Sequence, residues 1–186
     1  VMGPCRIDPF GHGPQRGVCG ADADVIVARN LGRMIAAGAA AHSDHGRDLA
    51  ETLHAIGEGE TADYAVKDEA KLKRLAEEAG VPTEGRTTSQ IAKDLAETLL
   101  DDFGCRKGHV VFAARAPAKR KELWDKLGVT PRGVDREVVE MMHRTHMGVD
   151  NEAVSLLLHA ARVSLSDGWG GSMIATELSD VIFGTP

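Results

Sequence analysis

Aromatic side chains are scarce in this sequence of 186 residues, where Phe, Trp and Tyr together make up 4%. A core with so few rings must be built from Ala, Val, Leu, Ile and Met, and small side chains favour closely packed helices. No run of 18 or more apolar residues occurs, so no membrane span is expected. The sequence also shows no positively charged start followed by an apolar segment, the pattern of a secretory signal.

Positive charge is not concentrated anywhere along the chain. The 22 Lys and Arg residues are outnumbered by 28 Asp and Glu, and the net charge is −6. Without a basic stripe, nucleic acid is not expected as a partner. Hydrophobic residues at 42% and charged residues at 27% are typical of a globular protein rather than a disordered one. The three cysteines are an odd number, which argues against a disulfide framework and favours a reducing, cytoplasmic setting.

Apolar residues recur every three to four positions over most of the chain, the period of a helix face. The first predicted helix begins after Asp22 as N-cap and ends near residue 55, although Gly38 and Gly46 each weaken it by about 1 kcal/mol. Further helices are predicted over 68–79, 88–102, 117–127, 134–146, 151–166 and 172–183. Residues 108–114 look like a strand but make no sheet alone, and residues 167–171 are expected to be a loop. We therefore predict an all-α fold, a helical bundle over 22–186 preceded by a Gly/Pro-rich cysteine loop over 1–21.

Two cysteines lie in that first loop. Gly and Pro give a backbone that can bring Cys5 and Cys19 to one metal centre, with loop amides pointing at an anionic cluster. Cys19 precedes the N-cap Asp22 by three residues, so the helix N-terminus favours its thiolate form. A [4Fe-4S] cluster needs four thiolates, however, and Cys105 is expected to be a small buried residue instead of a third ligand. By chemistry alone, Cys5 and Cys19 fit inert thiols or a disulfide as well as half of a cluster site.

Histidines are the other candidates. His42 and His45 are three residues apart on the first helix, and His42 falls on its apolar stripe, so we expect it inside the domain. A buried imidazole suits proton transfer, but the same position fits a hydrogen-bonded core histidine. His143 and His146 lack a third ligand at helical spacing and are expected to be structural. No phosphate-loop Lys follows the glycines of 167–171, so that loop is expected to serve packing.

Longer motifs are spread over nearly the whole chain and include MGPCRI (2–7), GVCGA (17–21), ARN (28–30), AHSDHGR (41–47), HRTHMGVD (143–150) and DGWGGSM (167–173). In these motifs the chain resembles a known family, the anaerobic nickel–iron carbon monoxide dehydrogenases. The resemblance implies the N-terminal helical part of a longer chain. We therefore expect this sequence to be a fragment that is inactive by itself.

The resemblance also implies roles for individual residues. Cys5 and Cys19 resemble the last two of four cysteines that bind a [4Fe-4S] cluster. His42 and His45 resemble the start of a proton relay, and Asp48 and Glu51 stand where the family often has further relay histidines. These carboxylates either relay protons themselves or indicate a different route.

The reaction that the resemblance implies is the oxidation of CO with water to CO2, releasing two electrons and two protons. It would take place at a nickel–iron–sulfur active cluster whose ligands lie mostly outside this chain. A ferredoxin-like electron acceptor and a homodimer are also implied.

Two alternatives remain open. Hybrid-cluster proteins, similar to hydroxylamine reductases, share a helical start and a similar Gly-Val-Cys-Gly turn, although the His-Ser-Asp-His and Asp-Gly-Trp-Gly-Gly stretches favour the dehydrogenases. The other alternative is a non-catalytic helical module for dimerisation or docking, which would keep the family's surface without its metals.

Overall fold

A computed structural model places residues 6–105 and 107–186. These residues form seven α-helices, one 3-10 turn and one π-helical turn, with no strand among them. The helices are α1 (Ala23–Glu58), α2 (Glu69–Glu78), α3 (Thr88–Phe103), α4 (Ala118–Leu127), α5 (Val134–His146), α6 (Ala153–Ser166) and α7 (Ser172–Phe183). The all-α prediction is confirmed. In this part of the chain no helix is both long enough and apolar enough to cross a bilayer.

Helix α1 is the element against which four of the other helices pack. It is 36 residues long and contacts α3, α5, α6 and α7. Its start is capped as predicted, because the side chain of Asp22 accepts a hydrogen bond from the backbone N–H of Val25 at 3.1 Å. Neither Gly38 nor Gly46 interrupts the helix. Packing along the helix therefore outweighs the low helix propensity of the two glycines.

The core has the composition that the scarcity of aromatics predicts. Its main cluster consists of Ala, Val, Leu and Ile side chains together with Met141, Phe103 and Phe112. Small residues on the buried side of α1 include Ala36, Ala39 and Ala50. Neighbouring helices can therefore approach α1 closely.

The π-helical turn (Asp167–Gly171) lies directly against α1. A Cβ atom on Gly46 would collide with the carbonyl oxygen of Gly171, and a Cβ atom on Gly171 would lie 2.5 Å from the Cα of Ser43. Both glycines are needed for this approach. The prediction of a loop at 167–171 was wrong, because the backbone stays helical from α6 through a widened turn into α7.

The strand-like segment 108–114 also differs from its expectation. It contains the start of a 3-10 turn, Val111–Arg115. The carboxylate of Asp102 accepts a hydrogen bond from the backbone N–H of Val111 at 2.8 Å, and the side chain of Phe112 is fully buried. The apolar residues of this segment are thus buried by a tight turn, whereas the pattern suggested an extended strand.

A buried ion-pair cluster joins α5 to α6. Glu137 is 0% exposed and its carboxylate accepts hydrogen bonds from His159 Nε2 at 2.8 Å, Arg162 Nε at 3.0 Å and Arg132 Nε. Burial acts to raise the pKa of Glu137, but the hydrogen bonds from His159 and Arg132 and the charge of Arg162 outweigh it and lower the pKa to about 2. The charged carboxylate therefore stabilises the fold.

We predict that Glu137→Gln lowers the free energy of unfolding by about 3 kcal/mol at neutral pH, because it removes the buried charge that pairs with the partly buried Arg132 and Arg162. The pKa of Glu137 is depressed on folding, so its stabilisation is present above the ordinary carboxyl pKa and is lost as the pH falls towards 2. Urea unfolding between pH 7 and 2 would measure both effects. Glu140→Gln is the matched control, since Glu140 contacts the same Arg132 and Arg162 but is partly exposed. Equal losses in the two variants would contradict the prediction.

Candidate functional site

Of the two predicted cluster ligands, Cys19 lies among the described residues and Cys5 lies outside them. Cys19 is half-buried in the turn-rich segment that leads into α1. Upstream of it, the carboxylate of Asp8 accepts hydrogen bonds from the backbone N–H groups of Phe10 at 3.2 Å and Gly13 at 2.7 Å. These bonds fold residues 8–13 into a compact turn without regular structure.

Side chains from α1 and from the α5–α6 connection hold Cys19. Arg29 Nη1 on α1 donates a hydrogen bond to Cys19 Sγ at 3.3 Å, and Asn151 Nδ2 donates to the Cys19 carbonyl at 2.8 Å. A Cβ atom on Gly148 would lie 3.1 Å from the Cβ of Cys19, so this glycine allows the connection to pass close to the cysteine. Both the sulfur and the backbone of Cys19 are therefore positioned by parts of the chain distant in sequence.

Arg29 is itself held firmly. It is only 4% exposed, and its Nε and Nη2 atoms donate to the Asp150 carbonyl at 3.1 Å and 2.5 Å. The Nη2 atom also donates to Asn151 Oδ1 at 2.7 Å. Sequence reasoning gave Arg29 no role, although a charged residue on the buried stripe of α1 is the kind of signal that could have identified it.

Cys105 differs from the expectation of a buried apolar residue. It is partly exposed, and its thiol donates to the Lys107 carbonyl at 2.9 Å. The Cys105 carbonyl accepts from the N–H of Gly133 at 3.0 Å, at the start of α5, whereas Cys19 packs beside Gly148, just beyond the end of α5. A helix of 13 residues separates the two cysteines by about 20 Å. Cys105 therefore cannot share a cluster with Cys19.

The donor set near Cys19 can be compared with the needs of a [4Fe-4S] cluster, which takes four thiolates. No group of three or more His, Cys, Asp or Glu residues within 6–105 and 107–186 could hold a metal ion. Cys19 fits as one ligand, since its sulfur lies beside a guanidinium that suits an anionic cluster. The other ligands would have to come from outside the described residues.

His42 is not inside the domain, and that prediction was wrong. Its side chain is 66% exposed, because the buried stripe of α1 runs through Ala39, Ser43 and Gly46 instead. His42 Nδ1 lies 2.9 Å from Asp167 Oδ2. The other oxygen of Asp167 accepts from the Ser172 hydroxyl at 3.1 Å, so the carboxylate is fixed by both contacts.

Asp167 raises the pKa of His42 above the ordinary value of 6.5, mainly through this hydrogen bond and also through its charge. The imidazole therefore holds its proton to higher pH than an isolated histidine does. Sequence reasoning missed Asp167, which is separated from His42 by 125 residues. No local signal in the sequence could have paired them.

His45 is also exposed, about 60° round α1 from His42. It lines a groove of about 840 Å³ between α1 and α5, together with Asp48. Glu51 lines a second groove of about 560 Å³ between α1 and α3, together with His54, which sequence reasoning also missed. Acid–base groups thus follow one another every three residues around α1, from His42 to His54.

His143 and His146 lie exposed in the last turn of α5, outside both grooves. The Nδ1 atom of His146 is 3.1 Å from the Met142 carbonyl one turn earlier. A histidine in this position suits the negative end of the helix dipole. The structural role expected for the two histidines stays a prediction.

Comparison with known proteins gives the class of the chain. The pattern of the Prismane/CO dehydrogenase family matches residues 1–186, and the chain belongs to that family. Relatives include carbon monoxide dehydrogenase 1 of Methanosarcina acetivorans, 60% identical over 100% of this chain and 30% of the relative. The carbon monoxide dehydrogenase of Rhodospirillum rubrum is 50% identical over 100% of this chain and 29% of the relative.

Solved structures give the same result. The crystal structure of nickel-free carbon monoxide dehydrogenase from Thermococcus sp. AM4 superposes with a TM-score of 0.93 at 60% identity, covering 100% of this chain and 30% of the other. An acetyl-CoA synthase/carbon monoxide dehydrogenase with nickel-containing [Fe4S4] clusters superposes with a TM-score of 0.92 at 41% identity, covering 100% and 28%. The chain therefore spans about 30% of the length of the proteins it matches.

We predict that Asp167→Asn lowers the pKa of His42 towards its ordinary value, because the substitution removes the carboxylate charge. The raised pKa of His42 also affects stability. Its contribution to the free energy of unfolding is fully present below the ordinary histidine pKa and is lost as the pH rises through the raised value. Titration of the His42 ring protons by NMR would measure the shift. Asp44→Asn is the control, since Asp44 is two residues from His42 but pairs with Arg47 at 3.4 Å. An unchanged His42 pKa in Asp167→Asn would contradict the prediction.

Proposed function

We propose that the protein containing this chain is an anaerobic nickel–iron–sulfur carbon monoxide dehydrogenase, which oxidises CO with water to CO2 and releases two electrons and two protons. The observation that supports this most directly is 60% identity to a carbon monoxide dehydrogenase over 100% of this chain. The family also includes the prismane proteins, but the relatives and structures compared above are all carbon monoxide dehydrogenases. The proposal includes a ferredoxin-like acceptor, a homodimer and a cytoplasmic location.

In this proposal, Cys5 and Cys19 are two of the four thiolate ligands of a [4Fe-4S] cluster. When bound, that cluster supplies one-electron transfer between the nickel–iron–sulfur active cluster and the exit from the protein. The contribution of this chain is to place the Cys19 sulfur at the start of α1. Arg29 and Asn151 hold that sulfur and its backbone by the hydrogen bonds described above.

The proposal assigns the release of protons to the groups along α1. His42 accepts a proton at Nε2 while its Nδ1 donates to Asp167, which fixes the ring and favours its charged form. His45 lies one turn further and about 60° round the helix, close enough for transfer through one water. Asp48 shares the groove of His45, so a carboxylate takes the place that a histidine often has in the family.

A second candidate function is a non-catalytic docking module. The observation that favours it is an apolar stripe on the exposed side of α1, formed by Val27, Leu31 and Met34. The two functions differ in their metal content. Iron and acid-labile sulfide analysis of the whole protein, purified without oxygen, would find a cluster in the dehydrogenase and none in the docking module.

We predict that Cys19→Ala in the whole protein lowers its iron and sulfide content and slows electron transfer to an external acceptor, because one cluster ligand is lost. Cys105→Ala is the matched control and should keep the full metal content, since Cys105 lies about 20 Å away. Metal analysis and CO-dependent dye reduction would measure the two effects. Unchanged iron in Cys19→Ala would show that Cys19 is not a ligand.

We predict that His42→Ala lowers kcat by about 10²–10⁴-fold, the usual contribution of a general acid–base group. Because His42 is exposed and is not proposed as a ligand, thermal unfolding and nickel content should stay close to those of the wild type. Turnover per nickel is the measurement, and His143→Ala is the control because His143 lies outside the two grooves. Normal turnover per nickel in His42→Ala would rule out the relay through this residue.

A further inference from the structure

Arg29 is a buried cation whose fixed geometry points at a sulfur atom. Its Nε and Nη2 atoms are engaged by the Asp150 carbonyl and the Asn151 amide oxygen. The remaining terminal nitrogen, Nη1, donates to Cys19 Sγ at 3.3 Å, a normal distance for an N–H···S hydrogen bond. Because the guanidinium is planar and rigid, the contacts of Nε and Nη2 also fix the direction in which Nη1 points.

The hydrogen bond from Arg29 to Cys19 differs from the other hydrogen bonds of Arg29 in the charge of its acceptor. The oxygen atoms of Asp150 and Asn151 that accept from Arg29 are neutral, whereas a cysteine sulfur that binds iron carries negative charge. A buried guanidinium is costly unless its hydrogen bonds and charge are compensated. The Cys19 sulfur, as a metal ligand, would contribute to this compensation at the nitrogen that faces it.

We infer that Arg29 is a positioning residue for the cluster ligand Cys19: its hydrogen bond orients the Cys19 sulfur and raises the reduction potential of the cluster that this sulfur binds. The inference rests on the proposed [4Fe-4S] site. Reduction adds one electron to the cluster and so increases its negative charge. Hydrogen bonds and positive charge at the ligand sulfur stabilise that reduced state and make the potential less negative.

A purely structural role for Arg29 is the alternative, because the same side chain ties α1 to the α5–α6 connection. The chain offers a matched control one turn further along α1. Arg33 Nη1 donates to the Thr145 carbonyl at 3.2 Å, and its Nη2 donates to Asn30 Oδ1. Arg33 therefore also links α1 to the end of α5, but its hydrogen bonds go to oxygen atoms.

The test compares Arg29→Gln, Arg29→Lys and Arg33→Gln in the whole protein, purified without oxygen. Cys19→Ala first identifies which iron–sulfur signal in the EPR spectrum depends on Cys19. Redox titration of that signal then gives its midpoint potential, and iron content and thermal unfolding are measured in parallel. We expect a more negative midpoint in Arg29→Gln, a smaller shift in Arg29→Lys, which keeps the charge, and a much smaller shift in Arg33→Gln, which removes a nearby charge but no hydrogen bond to the sulfur.

Each outcome decides the inference. An unshifted midpoint in Arg29→Gln with a full cluster overturns it, and so does an equal shift in Arg33→Gln. If Arg29→Gln loses its cluster, the comparison with Arg33→Gln decides. A full cluster in Arg33→Gln, at the same thermal stability as Arg29→Gln, supports the inference. Loss of the cluster to the same extent in both variants overturns it. A wild-type protein without any [4Fe-4S] signal overturns the proposed function and this inference together. A normal wild-type cluster whose midpoint potential is unchanged in the Arg29 variants overturns the inference alone.

Discussion

Close packing against the buried side of α1 is the constraint on which the rest of the structure depends. Where that side meets the π-helical turn, Ser43 and Gly46 of α1 contact Gly171. A Cβ atom on Gly171 would collide with Ser43, and a Cβ atom on Gly46 would collide with the Gly171 carbonyl. This contact brings Asp167 to His42. A side chain at Gly46 or Gly171 would hold the turn away from α1. The pairing of His42 with Asp167 therefore depends on glycine at these two positions.

Local signals in the sequence were enough to predict most of the helices. Asp22 was identified as an N-cap because its short side chain can accept a hydrogen bond from the first turn, and it does so. The bounds of α5 and α7 agree with the predicted ranges because apolar periodicity is continuous across each of them. The resemblance of whole motifs identified the family, which single residues such as Cys19 could not have done.

The errors have one physical cause, which is that burial is decided by partners distant in sequence. His42 follows the apolar spacing of α1, yet the elements packed on that helix cover Ser43 instead, one residue further round. The glycines of 167–171 suggest a loop when considered alone, but against α1 they allow a widened helical turn. Arg29 had no predicted role because the oxygen atoms that fix its orientation, on Asp150 and Asn151, belong to residues more than a hundred positions away.

The continuity of α1 has a consequence for the coupling of charges. The Cys19 sulfur lies beside Arg29 of α1, and His42 follows Arg29 by 13 residues of the same helix, which at 1.5 Å per residue is a separation of about 20 Å along the helix axis. The Debye length at physiological ionic strength is about 8 Å, so charges this far apart near the surface are largely screened from each other. Protonation of His42 should therefore leave the electrostatic potential at the Cys19 sulfur almost unchanged. The length of one helix keeps the two sites electrostatically independent.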